Sequence, residues 1–198
     1  MLARLAVFAD PWPGAITVWS SVEGQSYRPV AQVLAPSTTG ETLDDLPAGP
    51  TARWHRVTIR VRLFGGQLAS VTDAALLAGA NAAAVRRPDG TWEIIQFASA
   101  ELVADRTYAL SRLLRGQAGT EWATAASLPS GASFVLLGQH IPEIASGFDA
   151  LDRTMQLRIV TSGRDHAAPM AVALPLTPKA TALRPVAPVH LKAARTAD

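Results

Sequence analysis

The segment from residue 115 to residue 121 contains residue types that are common in ligand-binding loops. It reads Arg-Gly-Gln-Ala-Gly-Thr-Glu, which offers one guanidinium, two glycines and a hydroxyl. A phosphate-binding Walker loop would need Lys-Ser or Lys-Thr after its second glycine, and neither is present here. Two glycines at the exit of a strand instead allow positive φ or a close backbone approach. We therefore predict that this loop has a structural role.

Two further expectations concern the same loop. Thr120 is placed to cap a short Ala-rich helix, and Arg115 is placed to pair with Glu121 across the loop. The residues of the predicted structural loop are Arg115, Gly116, Gln117, Gly119, Thr120 and Glu121.

Glycoside hydrolysis would need two carboxylates about 5 to 10 Å apart, one of them with a raised pKa. Glu93 and Glu101 are the obvious candidates. Glu93 lies in an alternating strand in which a solvent-facing carboxylate is ordinary, and Glu101 opens the next predicted strand. Nothing in the pattern makes the two converge. We therefore predict that both lie on the surface and that the chain has no catalytic residue.

Metal binding and nucleophilic catalysis lack the residues that they require. The chain has no cysteine, and none of its four histidines has a companion ligand at metal-binding spacing. No Gly-x-Ser-x-Gly motif is present, so a serine nucleophile is not indicated either. We predict no enzyme activity, no metal and no cofactor. The histidines are His55, His140, His166 and His190.

The five tryptophans leave one alternative open. If several of their rings were exposed, they would form a platform on which a sugar stacks, although scattered tryptophans in β proteins mostly belong to the core. They are Trp12, Trp19, Trp54, Trp92 and Trp122.

Composition and charge limit the partners of the chain. Of its 198 residues, 48% are apolar and 17% are charged, which is typical of a globular protein. The net charge of +2 is too small to attract nucleic acid or an anionic membrane strongly. Arg4 interrupts the N-terminal apolar stretch, and the longest uncharged span, residues 122–142, contains proline and glycine. We expect neither a signal peptide nor a membrane-spanning helix.

Short apolar runs separated by turn residues dominate the chain, which is typical of a mainly β fold. Residues 54–64 show the clearest alternation: apolar side chains at 57, 59, 61 and 63 would enter a core, while Arg56, Arg60 and Arg62 face solvent or a partner. We predict strands at residues 2–8, 16–22, 27–34, 54–64, 81–87, 91–97, 101–104, 107–114, 134–137, 155–160 and 170–174, the first three forming a meander.

Only two segments favour helix. Residues 70–77 begin with Ser70 as the expected N-cap, and residues 120–126 form the Ala-rich stretch. The prediction is therefore a set of small β-sandwich or barrel-like units with one or two short helices and a proline-rich C-terminal extension. The predicted division is an N-terminal β unit at 1–64, a barrel or sandwich unit at 65–145, additional strands at 146–176 and a proline-rich linker at 177–198.

Residues 78–86, 92–97, 101–103 and 108–121 together resemble a known family. The run Leu-Leu-Arg-Gly-Gln-Ala-Gly-Thr-Glu at 113–121 is the most specific part. Asp-Pro-Trp-Pro-Gly near the start and Arg-Pro-Val-Ala-Pro-Val-His-Leu near the end are also similar. The family is the C-terminal region of the tail-tip proteins of gene transfer agents and related siphophages, which are called baseplate hub or host specificity proteins.

The resemblance implies a structural component of a phage-like tail tip or baseplate hub, made in the bacterial cytoplasm, that contributes to tail assembly and host attachment. The implied partners are other tail or baseplate proteins, two further copies of the chain in a homotrimer and a host-envelope glycan, with neither nucleic acid nor membrane insertion. Longer relatives carry a glycoside-hydrolase-like barrel upstream, which these 198 residues do not contain. A carbohydrate-binding module and a fragment of a glycan hydrolase are the alternatives.

The C-terminal residues 177–198 combine three prolines with few large apolar groups, so they can bury little surface of their own. We predict that trypsin first cuts after Lys179, Arg184 or Lys192 and leaves a core of about residues 1–178 that melts at nearly the same temperature. Mass spectrometry of a digestion time course checks the cleavage order. Early cleavage within residues 54–64, or loss of cooperative melting in the trimmed chain, would contradict the prediction.

Overall fold

The computed structural model describes residues 2–49, 51, 53–138 and 140–179. Strands account for 44% of the described residues and helices for 7%, which confirms the predicted mainly β class. The one α-helix, α1, spans Asp73–Leu77 in the described part of the chain. Short 3₁₀ helices occupy Glu121–Ala125 and Phe148–Ala150.

Six strands form a closed barrel, in which each strand is antiparallel to its neighbours. Closure removes free sheet edges and encloses an apolar interior. The strands are β4 at Thr39–Thr42, β5 at Ile59–Gly65, β6 at Ala82–Arg86, β7 at Trp92–Ala104, β8 at Thr107–Gln117 and β9 at Ser133–Leu136. Their spatial order around the barrel is β4-β5-β8-β7-β6-β9.

A smaller unit contains strands from both ends of the described chain. Its strands are β1 at Leu2–Arg4, β2 at Ile16–Ser21, β3 at Arg28–Val33, β10 at Glu143–Ala145, β11 at Met155–Thr161 and β12 at Val172–Leu176. They form a four-stranded sheet in the order β12-β11-β2-β3 and a two-stranded ribbon of β1 and β10. A separate apolar cluster that includes Val18, Ile144 and Leu157 lies between the sheet and the ribbon.

Strand β5 has the alternation that its sequence predicts. Ile59, Val61 and Leu63 are buried in the barrel core, whereas Arg60 and Arg62 are exposed. Arg60 donates to the Asp44 carboxylate through Nε, Nη2 and its backbone N–H, with Nη2 at 2.7 Å, and these hydrogen bonds hold the pKa of Asp44 below its ordinary value. Arg62 pairs with Glu41 of β4. Two of the predicted outward arginines are therefore neutralised by the strand and loop that precede them.

The predicted unit boundary between residues 64 and 65 is not a boundary of strand pairing. It falls at the end of β5, which pairs with β4 and β8 inside the barrel. The predicted N-terminal meander is also wrong, because β1 pairs with β10 and β2 pairs with β3 and β11. Pairing between strands far apart in the chain depends on tertiary packing, which local alternation does not report.

Several local predictions also need correction. Strand β4 has no counterpart among the predicted strands, and residues 92–104 form one long strand rather than two. Thr72 caps α1 by accepting from the backbone N–H of Ala75, whereas Ser70 instead bonds to Ala100 of β7. The Ala-rich segment is a 3₁₀ helix.

The C-terminal prediction falls partly on described residues. Thr177 Oγ1 lies 2.8 Å from Thr154 Oγ1, and Lys179 Nζ donates to Asp152 Oδ1 at 2.8 Å. Residues 180–198, with two of the three predicted cleavage sites, lie outside the described residues.

Within the described ranges, no helix is long and apolar enough to cross a membrane.

Candidate functional site

A buried ion pair lies in the wall and interior of the barrel between β7 and β8. Arg115 Nε donates to Glu93 Oε1 at 2.7 Å, and Nη2 donates to Oε2 at 2.6 Å, with both side chains 0% exposed. The two parallel hydrogen bonds form the bidentate geometry in which guanidinium and carboxylate interact most strongly. The same guanidinium also donates to the backbone carbonyls of Pro47 and Ala126. Arg115 therefore ties two loops to the hairpin of β7 and β8.

This arrangement overturns the predicted surface position of Glu93 and the predicted pairing of Arg115 with Glu121. Glu93 shares its inward face with Ile95 and Phe97, while Trp92 is exposed on the opposite face. The sequence is ambiguous here because apolar residues occupy both faces of the first half of β7. The burial of Arg115 beside it in the folded barrel decides which face is inside.

The two candidate carboxylates for glycan hydrolysis do not converge. Glu93 and Glu101 lie on the same strand, β7, eight residues apart. At about 3.3 Å per residue their backbones are about 26 Å apart, far more than the 5 to 10 Å that glycosidases use. Both oxygen atoms of Glu93 are also occupied by Arg115. The pair cannot perform acid and base catalysis on one glycosidic bond.

The conformation at the end of β8 and in the loop that follows depends on two glycines and on Thr120. Gly116 and Gly119 have φ of +63° and +83°. A Cβ on Gly116 would lie 2.8 Å from Glu121 Cα and from Thr124 Cγ2, so side chains are excluded there. Gln117 Nε2 donates to the carbonyl of Arg115 at 2.9 Å. The loop is thus closed by contacts within itself.

The sequence predicts that Thr120 caps the Ala-rich helix, but its side chain makes no capping hydrogen bond to the 3₁₀ helix. Its Oγ1 accepts from the backbone N–H of Ile94 at 3.0 Å and donates to the carbonyl of Gln117 at 2.7 Å. The hydroxyl therefore joins the loop to β7 instead of capping the start of the 3₁₀ helix. This link brings Trp122 to the end of the barrel where Trp92 begins β7.

Arginine and tryptophan side chains occupy this end of the barrel. The Arg87 guanidinium lies 5.5 Å from the ring centroid of Trp122, and its Nη1 donates to the carbonyl of Ala123 at 2.8 Å. Trp92 lies directly across the β6–β7 ladder from Arg86. Trp92 is 39% exposed and Trp122 is 43% exposed.

The turn beside these residues carries a fixed carboxylate. Asp89 Oδ1 accepts from both the backbone N–H and the hydroxyl of Thr91. These hydrogen bonds hold the pKa of Asp89 below its ordinary value, so the group is a carboxylate at neutral pH. Its Oδ2 lies 3.9 Å from Arg87 Nε.

The histidines that the structure describes are dispersed. His55 is buried and bridges to Leu113, His140 accepts a bond from Ser37 through its carbonyl, and His166 stacks on Tyr27. His190 lies outside the described residues. Among the described parts of the chain, no group of three histidine, cysteine or acidic residues could hold a metal ion.

The remaining tryptophans occupy other places. Trp12 is half-buried against the core of the smaller unit, and the Trp19 ring lies tilted beside His166 on its four-stranded sheet. Trp54 is 40% exposed and lies under the guanidinium of Arg112, which pairs with Asp73 at the start of α1. Of the three exposed indoles, Trp92 and Trp122 are therefore the two that share one end of the barrel.

We expect Glu93→Gln to lower the free energy of unfolding by about 3 to 5 kcal/mol, because it leaves the buried Arg115 without its counter-charge. Glu143→Gln is the matched control, since Glu143 pairs with Arg4 on the surface, where their side chains are 43% and 51% exposed. That change should cost about 1 kcal/mol or less. Urea denaturation measures both. Equal losses in the two variants would show that the buried pair has no special role in stability.

We expect Gly116→Val and Gly119→Val each to destabilise the fold by about 1 to 3 kcal/mol, because valine must adopt a left-handed backbone there. Gly116→Val should be the worse of the two, since its Cβ also meets Glu121 and Thr124. The control is Gly138→Val, where the nearest atom to an added Cβ is Leu136 Cδ2 at 4.0 Å. Thermal unfolding compares the three. An unchanged melting temperature for both loop variants would refute the backbone role of the glycines.

Comparison with known proteins connects the barrel to a family. Residues 37–135, half of the chain, match the profile of the family described as Rcc01698-like, C-terminal. The matched region begins two residues before β4 and ends one residue before the end of β9, so it corresponds to the barrel. No curated protein matches the sequence. The chain belongs to the Rcc01698-like, C-terminal family.

Proposed function

We propose that the chain is a structural component of the tail tip or baseplate hub of a phage-like particle and contributes to tail assembly and host attachment. The observation that carries this proposal is the resemblance of residues 78–121 to tail-tip proteins of gene transfer agents and siphophages. That region spans β6, β7, β8 and the loop that follows them.

Several contacts suit a mechanical role. The Glu93 and Arg115 pair joins β7 and β8 to the loops at Pro47 and Ala126 through hydrogen bonds inside the barrel. A bidentate buried pair restricts the relative movement of the groups that it connects. In the proposed role, the barrel transmits force between neighbouring tail proteins, which requires no reactive group.

The proposed partners are neighbouring tail or baseplate proteins and two further copies of the chain in a homotrimer. The proposed location is the tail of the particle, after synthesis in the bacterial cytoplasm. We propose neither nucleic acid nor the membrane interior as a partner. We also propose no enzymatic role, because Glu93 is engaged by Arg115 and Glu101 lies too far along β7 to act with it.

The test is to locate the chain in particles purified from a producing strain. We expect immunogold labelling of an epitope-tagged chain at the tail tip, and cross-linking within intact particles should give a trimer of the chain. The control strain carries the same tag on a capsid protein, which should label the head instead. Absence of the chain from intact tailed particles would overturn the proposal.

A further inference from the structure

One end of the barrel presents two half-exposed indoles and is here called the tryptophan end, defined by Arg86, Arg87, Trp92 and Trp122. Trp92 is 39% exposed and Trp122 is 43% exposed. The hydrogen bond between Ile94 N–H and Thr120 Oγ1 at 3.0 Å holds the segment that carries Trp122 against the start of β7. Trp92 lies two residues before Ile94, and Trp122 lies two residues after Thr120.

The ring of Trp122 is held in place from one side. The Arg87 guanidinium lies 5.5 Å from its centroid, and that guanidinium is itself anchored to the carbonyl of Ala123 at 2.8 Å. A cation attracted to one face of an indole leaves the opposite face for another group. The exposed part of Trp122 is therefore a fixed apolar surface, which lowers the entropic cost of binding a ligand there.

The orientation of Trp92 follows from the strand that carries it. Glu93 points into the barrel, so the side chain of Trp92 must point outward. It lies across the ladder from Arg86, whose side chain is exposed. Trp92 thus adds a second apolar surface with a hydrogen-bond donor next to it.

Charge at the tryptophan end is balanced. Arg86 and Arg87 supply two cations, and Asp89 of the adjoining turn and Glu121 beside Trp122 supply two carboxylates. A polyanion would gain little from a surface of zero net charge. Sugar hydroxyls both donate and accept hydrogen bonds, so they complement a rim that holds donors and acceptors together. The electron-rich faces of the indoles attract the polarised C–H groups of a pyranose ring.

We propose that the tryptophan end binds a neutral oligosaccharide whose C–H faces stack on Trp92 and Trp122. Two separate indoles favour a chain of several sugars over a single one. This proposal goes beyond the structural role and does not depend on it, because a soluble chain with this surface would bind the same ligand outside any particle.

The experiment titrates the full chain with chitotetraose, a neutral tetramer of N-acetylglucosamine, and follows the indole N–H resonances by NMR and the affinity by calorimetry. We expect saturable shifts of the Trp92 and Trp122 resonances in the wild-type chain. Trp92→Ala and Trp122→Ala should each weaken binding by about threefold to tenfold, the loss expected for one aromatic stacking contact.

Trp54→Ala is the matched control. Trp54 is 40% exposed and lies 5.0 Å from the Arg112 guanidinium, but it is beside α1 rather than at the tryptophan end. Its removal should leave the affinity unchanged. The wild-type NMR shifts test the site even if a variant unfolds.

Three results would overturn the proposal: no saturable shift of either indole, equal losses in all three variants, or tighter binding of acidic tetragalacturonate than of chitotetraose. None of them bears on the proposed tail-tip role, which is decided by locating the chain in particles.

Discussion

Two opposite charges inside the barrel, the carboxylate of Glu93 and the guanidinium of Arg115, are both removed from water. Such burial is costly unless each charge is paired and its remaining hydrogen-bonding atoms are satisfied. Here the pairing is bidentate, and the guanidinium also donates to Pro47 and Ala126. The loops after β4 and after the 3₁₀ helix must therefore come to Arg115 for the barrel to form without an uncompensated charge.

The Arg115 contacts also determine where the exposed aromatic residues lie. Because Glu93 is inward, Trp92 is outward. Two residues beyond Arg115 strand β8 ends at Gln117, and the positive φ angles of Gly116 and Gly119 on either side of that end turn the chain toward β7. Thr120 completes that turn by bonding to Ile94, which places Trp122 at the same end. The interior charge pair and the exterior tryptophan end are thus consequences of one register between β7 and β8.

The smaller unit depends on the barrel in a different way. Its sheet joins β2 and β3 from the start of the chain to β11 and β12 from beyond the barrel. The barrel segment is therefore inserted between the two halves of one sheet, which can pair only when the barrel brings residues 37 and 140 together. The bond from Ser37 Oγ to the carbonyl of His140 lies at that junction.

The sequence alone determined the strand-rich class, the alternation of β5 and the need for glycine in the loop after β8, because periodicity and turn chemistry are local properties. It did not determine which strands pair, or that β4 completes a barrel, because four residues carry too little pattern to distinguish a strand from a loop. The inward position of Glu93 could not be predicted from the sequence either. Trp92 and Ile94 make the outer face of its strand as apolar as the inner face, so alternation does not identify the inner face. Only the folded barrel places Arg115 where a buried carboxylate is favourable.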